Sequence, residues 1–314
     1  AIGHAEKKFP LRHILVNLAP AHIKKEGPSF DLPIALGILE ASGQIPAHSL
    51  ADTFVSGELA LTGKVRPIRG ILPMALAARK RGFKRLLVSQ GNAREAALAE
   101  GMEVCPIQSL SEVVSRLEAR EPLDVFNPVR EEEVRGSEGV DFREVRGQEA
   151  AKRALLVAAA GGHNLLMLGP PGSGKTMLAR RFPTILPSLS RDEAEEVTMV
   201  HSVLGLTREG KLVNQRPFRS PHNTISEAGL VGGGSQIRPG EVSLAHHGVL
   251  FLDEFPEFHR DVLEALRQPV EEGWVHLTRA MQNVIFPARF SLLAAMNPCP
   301  CGYRGDPKHE CLCA

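Results

Sequence analysis

Apolar positions along this chain fall in short dense runs separated by stretches of helical spacing, an alternation that predicts strands laid between helices. HILVNLA (13–19), TFVSGELAL (53–61) and KRLLVS (84–89) read as strands, and PMALAARKRG (73–82) as a helix with Pro73 in its first turn. Further on, GQEAAKRALLVAAAGG (147–162) has helical spacing and NLLMLG (164–169) reads as a buried strand. GVLFL (248–252) and SLLAAM (291–296) are two more apolar runs of strand length, and WVHLTR and NVIFPA read as the arms of a hairpin with AMQ at its tip. Between Ala119 and Val145 the pattern lapses into AREPLDVFNPVREEEVRGSEGVDFREV, charged and without apolar periodicity. The expectation is an α/β chain: a first domain over 1–118, a charged linker over 119–142, and a second domain over 143–314 with helices around a mostly parallel sheet.

Composition narrows the class only a little. The chain has 314 residues, 43% of them hydrophobic and 23% charged, with a formal net charge of +1. That balance gives no overall electrostatic case for nucleic acid, so binding of that kind must come from local patches. No signal peptide opens the chain, and the most apolar run, Ala154 to Leu168, is too short to cross a bilayer. A cytoplasmic setting with no membrane partner is expected, where thiols stay reduced. Ala1 does not resemble a natural start and Ala314 follows a cysteine motif directly, so both ends read as cut.

Chemistry enters at the end of NLLML. The strand runs into Gly169, Pro170, Pro171, Gly172, Ser173, Gly174, Lys175 and Thr176, then a helical MLARRF. This is G-x-x-x-x-G-K-[ST] in its required context of strand, loop and helix. Such a loop curls backbone N–H groups around phosphate oxygens at a helix N-terminus. Lys175 is placed to reach the β and γ phosphates of ATP, and the Thr176 hydroxyl to ligate Mg²⁺. The partner it needs is an acidic group at the tip of a second buried strand, and GVLFL ends in Asp253 and Glu254. Asp253 is expected to hold Mg²⁺ through water, and Glu254 to polarise the attacking water. A glutamate directly after the aspartate points to hydrolysis rather than to a kinase.

This block resembles the AAA+ ATPases, in which a polar residue at the tip of a third strand helps to position the water. By that resemblance the residue is Asn297, at the end of SLLAAMN. Lys175 and Asp253 lie 78 positions apart, a span that accommodates an insert rich in glycine and turn formers. With the hairpin before the third strand, this resembles the magnesium-chelatase and MCM branch. GPPGSGKTMLARRFPTILP, PFRSPHNTISEAGLVGGGS, RPGEVSLAHHGVLFLDEFPEF, ALRQPVEEG and AAMNPCPCGY together resemble the magnesium-chelatase-like family of YifB and ComM. The resemblance implies a homo-hexameric motor that hydrolyses ATP and acts on single-stranded or branched DNA, as a branch-migration helicase does. The alternative it leaves open is a chelatase-type ATPase that remodels a protein or porphyrin partner. The family's arginine finger and second sensor arginine have no counterpart in this sequence.

KKEGPSFDLPIALGIL and GELALTGKVRPIRGILPMALAARKRG resemble the Lon protease domain, whose nucleophilic serine falls on Ser29. The position of its general-base lysine is Leu72, and neither Lys64 nor Lys80 falls in the matching place. Leucine cannot take a proton, so proteolysis is not expected, and Ser29 reads as a turn or cap residue.

Four of the five cysteines, Cys299, Cys301, Cys311 and Cys313, close the chain as two Cys-x-Cys pairs. Four thiolates brought together by a nine-residue loop suit a structural Zn²⁺, with free thiols, a disulfide and an iron–sulfur cluster as alternatives. Cys105 in MEVCPI reads as a core residue. For DNA, Arg238 in the insert and Arg279 on the hairpin are the candidate phosphate contacts, and solvated surface charge is the competing reading.

Overall fold

Helices around parallel strands are what a computed structural model shows, over residues 1–18, 27–128, 140–207, 210–234, 237–279, 282–304, 310–311 and 313. The chain divides into two compact units, Ala1–Glu132 with His201–Leu212, and Glu133–Val200 with Val213–Ala314.

In the first unit, helix α1 (Asp31–Ala41) precedes strand β1 (Thr53–Val55), the antiparallel pair β2 (Glu58–Leu59) and β3 (Val65–Arg66), and helix α2 (Ile71–Lys80). Strand β4 (Arg85–Ser89), helix α3 (Ala93–Ala96), strand β5 (Glu103–Ile107) and helix α4 (Leu110–Ala119) follow. The sheet is parallel in the order β1-β4-β5. Leu32, Leu36, Leu39, Leu87, Ile107 and Leu110 meet in one core, where each buried side chain of that size contributes roughly 1.5–3 kcal/mol. Ser109 caps α4 by accepting the Glu112 N–H at 3.2 Å, as a serine just ahead of an apolar helix face should.

Two strand expectations need correction here. HILVNLA forms no strand over its described residues 13–18, and Leu15 is 93% exposed. Its apolar positions are contiguous rather than alternating, and strand propensity counts only where a neighbouring strand completes the ladder. TFVSGELAL breaks at Ser56–Gly57 into β1 and β2, which belong to different sheets. The Gly57 N–H donates to Ser29 O at 3.2 Å and Gly57 O accepts the Leu32 N–H at 3.3 Å, so the backbone there serves the turn before α1 instead of a ladder.

The second unit opens with α5 (Glu149–Gly161), β6 (Leu165–Leu168) and α6 (Lys175–Arg181). Helix α7 (Arg191–Leu204), whose last residues group with the first unit, leads to β7 (Phe218–Arg219). The insert then supplies α8 (Glu227–Leu230), the antiparallel pair β8 (Gly232–Gly233) and β9 (Arg238–Pro239), and α9 (Glu241–Leu244). Next come β10 (Gly248–Leu252), α10 (Arg260–Ala265), α11 (Arg267–Glu272), the hairpin β11 (Trp274–Arg279) with β12 (Gln282–Pro287), and β13 (Phe290–Met296). The sheet is parallel throughout, in the order β6-β13-β10-β7.

That order positions the site. Strand β13, last in sequence, lies between β6 and β10, so the carboxyl ends of three strands stand side by side at one edge of the sheet, where open α/β sheets bind ligands. Strand β10 is buried along its whole length, as GVLFL requires. Strand β6 is not: Leu166 and Leu168 are 56% and 63% exposed, because β6 is an edge strand of this sheet and alternates in burial. No helix among the described residues is long and apolar enough to cross a membrane.

Candidate functional site

Gly169 to Gly174 join β6 to α6 in the expected strand–loop–helix arrangement. Gly174 has φ +87°, a left-handed conformation that disfavours side chains, and a Cβ there would stand 3.0 Å from Gln148 Nε2. Gln148 Nε2 in turn donates to Ser173 O at 3.2 Å and so ties the start of α5 to the loop. Sequence patterning gave no reason to single out Gln148.

Lys175 Nζ donates to Gly169 O at 2.7 Å, Pro170 O at 3.0 Å and Asn297 Oδ1 at 3.2 Å. Thr176 Oγ1 donates to Asp253 Oδ2 at 2.7 Å. The loop, the tip of β10 and the tip of β13 therefore converge side chain to side chain. Backbone pairing supports them: Met296 lies opposite Leu168 in the ladder, and the Gly169 N–H donates to Met296 O at 3.3 Å.

Glu254 takes φ +52°, in the left-handed region that a non-glycine residue enters at a cost of order 1–3 kcal/mol. The turn sends two consecutive carboxylates different ways. Asp253 accepts from Thr176 and, through Oδ1, from the Glu254 N–H at 3.0 Å, while Glu254 Oε2 accepts from Asn223 Nδ2 at 3.3 Å. Asn223 was not among the sequence candidates. The signal available was a polar cluster, HNT, just after the short strand β7.

At the end of the chain Cys299 Sγ lies 3.3 Å from Cys301 Sγ and 3.6 Å from Cys311 Sγ, and Cys301 Sγ lies 3.7 Å from Cys311 Sγ. Cys313 Sγ accepts the Cys301 N–H at 3.3 Å and Cys299 Sγ accepts that of Arg304 at 3.3 Å. All four sulfurs lie within 4.8 Å of one another. Sulfurs tetrahedrally bound at a Zn–S distance of about 2.3 Å would stand about 3.8 Å apart, so the spacing suits that ion. Burial pushes the Cys299 thiol up, but hydrogen bonds from Cys301 and from the Arg304 N–H outweigh it and hold the group at about 6. Cys313 is lowered by the Cys301 N–H yet ends at about 11, because the Cys301 thiol, burial and the charge on Cys299 act the other way. One thiolate thus suppresses its neighbours, and a cation among the four would relieve that repulsion.

A second group of potential ligands is Glu196, His246 and His247. His246 Nδ1 accepts the Arg289 N–H at 3.1 Å, so its ring proton sits on Nε2 and is donated to Glu196 Oε2 at 3.0 Å. His247 Nε2 lies 2.7 Å from the same oxygen. With Nε2 protonated the ring offers no lone pair to a metal, and the group is a hydrogen-bonded clamp between α7 and the start of β10. Burial pushes the His246 pKa down to about 4. Burial raises that of Glu196, but its bonds from His247 and His246 prevail and hold it below the usual range.

Unfolded, His246 gains its proton near 6.5; folded, it does so only near 4, so acid between those values favours the unfolded chain. Glu196 adds to the loss below its ordinary 4.5. The expected result is a Tm that falls steadily from pH 6.5 to pH 4, with His246 contributing on the order of 3 kcal/mol. The test is thermal unfolding across that range, with His246→Gln showing a shallower fall.

Arg238 is an exposed residue of β9, and the side chain of Arg279 lies outside the described residues. Arg219 of β7, which sequence patterning does not single out, makes two hydrogen bonds, 2.6 and 2.7 Å, to the Glu241 carboxylate. Ser29 sits in a 3₁₀ turn, Leu72 is fully buried, Lys64 is exposed and bridged to Ser109, and Lys80 ends α2. Cys105 is buried in the first unit's core, and burial raises its pKa.

Comparison with known proteins now bears on this geometry. A family model described as magnesium chelatase, subunit ChlI, matches residues 141–314, and one described as subunit ChlI of Mg-chelatase matches residues 1–92. The chain is 47% identical to the competence protein ComM of Haemophilus influenzae, covering 96% of this chain and 60% of that protein. It is 45% identical to YifB of Escherichia coli, with 98% and 60% covered. An archaeal Lon protease of Methanocaldococcus jannaschii is 31% identical over 119 residues, 35% of this chain and 18% of the protease. The chain thus spans about 60% of the length of the ComM and YifB relatives.

Proposed function

Because the chain belongs to the magnesium-chelatase, subunit ChlI, family of AAA+ ATPases, with a Lon-like region, we propose that it is the motor part of an ATP-hydrolysing ring that acts on DNA. The observation that carries the ATPase reading is the convergence of three strand tips, with Thr176 bonded to Asp253 at 2.7 Å and Lys175 to Asn297 at 3.2 Å.

In this reading the backbone from Gly169 to Gly174 wraps the triphosphate, and Lys175 exchanges its loop carbonyls for β and γ phosphate oxygens. Thr176 and Asp253 would hold Mg²⁺, which would supply positive charge beside the phosphates. Glu254 polarises the attacking water, Asn297 positions it beside the γ phosphate, and Asn223 fixes the Glu254 carboxylate. Cys299, Cys301, Cys311 and Cys313 hold one structural Zn²⁺. The division proposed is a proteolytically inactive domain over 1–118, a linker over 119–142 and the ATPase core over 143–314, working in the cytoplasm as a homo-hexamer.

Support for DNA comes from the name of the relative ComM, a competence protein, and from the hairpin and insert that precede the strand tips. The family description, magnesium chelatase, favours a second reading in which the ring remodels a protein or porphyrin partner. The ATPase rate of the full-length protein with and without single-stranded or forked DNA separates the two. Stimulation by DNA, falling steeply as salt rises, is the expected result. A rate indifferent to both DNA forms sinks the DNA reading and leaves the second.

A further inference from the structure

The tip of β13, which leads into the cysteine loop, and Gly302 within that loop both lie against the phosphate loop. The Gly169 N–H donates to Met296 O at 3.3 Å, and Lys175 Nζ to Asn297 Oδ1 at 3.2 Å. Five residues further on, Gly302 is buried against the Pro171 ring: a Cβ at Gly302 would stand 2.6 Å from Pro171 Cδ and 2.9 Å from Cγ. Gly302 also has φ +83°, so only glycine suits both the turn and the contact. Its N–H donates to Cys299 O at 2.9 Å, which closes a turn from Cys299 to Gly302 that contains two members of the sulfur cluster, Cys299 and Cys301.

From this juxtaposition we propose that the four-thiolate site controls nucleotide binding: the bound metal fixes the turn at Gly302, and the turn fixes the Pro171 side of the phosphate loop. The proposal rests on the zinc and ATP readings above. The physical reason is direct. The turn is held at Cys299 and Cys301 by the cluster and has no helix or strand of its own, so removing the metal takes away the cross-link that ties it to Cys311 and Cys313. The loop then has to be ordered by the nucleotide itself, and that cost appears as weaker binding. Gly302 is a positioning residue here, not a catalytic one.

The experiment uses full-length protein in three states: as purified, stripped with a chelator, and reloaded with Zn²⁺. Each is measured for metal content, folding by circular dichroism, and ATP affinity by calorimetry. The expected result is about one Zn²⁺ per chain, ATP affinity about tenfold weaker after stripping, and recovery on reloading. Gly302→Val, which keeps every cysteine, supplies an independent arm: it should retain its Zn²⁺ and still bind ATP about tenfold more weakly. Stripped, folded protein that binds ATP as tightly as loaded protein overturns the proposal, as does a zinc-loaded Gly302→Val with unchanged affinity. If stripping unfolds the chain, the Gly302→Val arm alone decides. Protein that carries no metal but binds ATP overturns the zinc reading and the proposal together, whereas loaded protein that binds no ATP overturns the phosphate-loop reading instead.

Discussion

Glu254→Gln should leave ATP affinity unchanged and slow hydrolysis by about 10²–10⁴-fold, the usual worth of a general base. The substitution keeps the side chain's shape, and its amide oxygen can still accept from Asn223 Nδ2, which lies 3.3 Å from Glu254 Oε2. It removes only the capacity to take a proton from water. Asp253 and Thr176, bonded to each other at 2.7 Å, are untouched, so Mg²⁺ and triphosphate should be held as before. The left-handed turn at Glu254, φ +52°, is no harder for glutamine than for glutamate, so stability should hardly change. In a ring that assembles with nucleotide, persistent ATP favours the assembled species by mass action, so sizing with ATP should show a trapped oligomer. If the motor acts on DNA, that oligomer should also hold DNA, with an affinity that falls steeply as salt rises. Wild-type turnover in this variant would remove Glu254 from the site. A trapped oligomer that ignores DNA would instead favour the protein- or porphyrin-remodelling reading.

How much of this was legible beforehand depends on whether the cause is local. The phosphate loop, the buried run GVLFL and the pair Asp253–Glu254 are contiguous in sequence, and each carries its reason within a few residues. The hairpin was legible too, because its two arms are neighbours and share a pattern. HILVNLA was not, since a strand is completed by a partner elsewhere in the chain and apolar density alone cannot name one. Gln148, Asn223 and the His246–Glu196 clamp were missed for a related reason. Each is a polar residue whose importance comes from a partner 25 to 50 positions away, and nothing in its own neighbourhood marks it. The seat of Gly302 on Pro171 is the extreme case, because a glycine after two cysteines looks like any turn.

Lys175→Ala should weaken ATP binding by about a hundredfold or more, with the fold intact. The ammonium is the one charged side chain that the phosphate loop itself supplies, and its present contacts, Gly169 O at 2.7 Å, Pro170 O at 3.0 Å and Asn297 Oδ1 at 3.2 Å, hold it across the mouth of that loop. A hydrogen bond to a charged group is worth about 1.5–3 kcal/mol, and a lysine reaching two phosphates makes two of them. Losing both exceeds the roughly 2.7 kcal/mol that a hundredfold change represents. The three acceptors left behind border a half-exposed loop and can turn to water, which is why stability should fall little. Calorimetric titration with ATP and Mg²⁺, beside thermal unfolding of the same samples, reads both quantities. Unchanged ATP affinity would overturn the assignment of residues 169–176 as the phosphate loop. A large drop in Tm would show instead that Lys175 serves chiefly to hold the loop to Asn297, and the Glu254→Gln comparison would then be the only clean measure of the site.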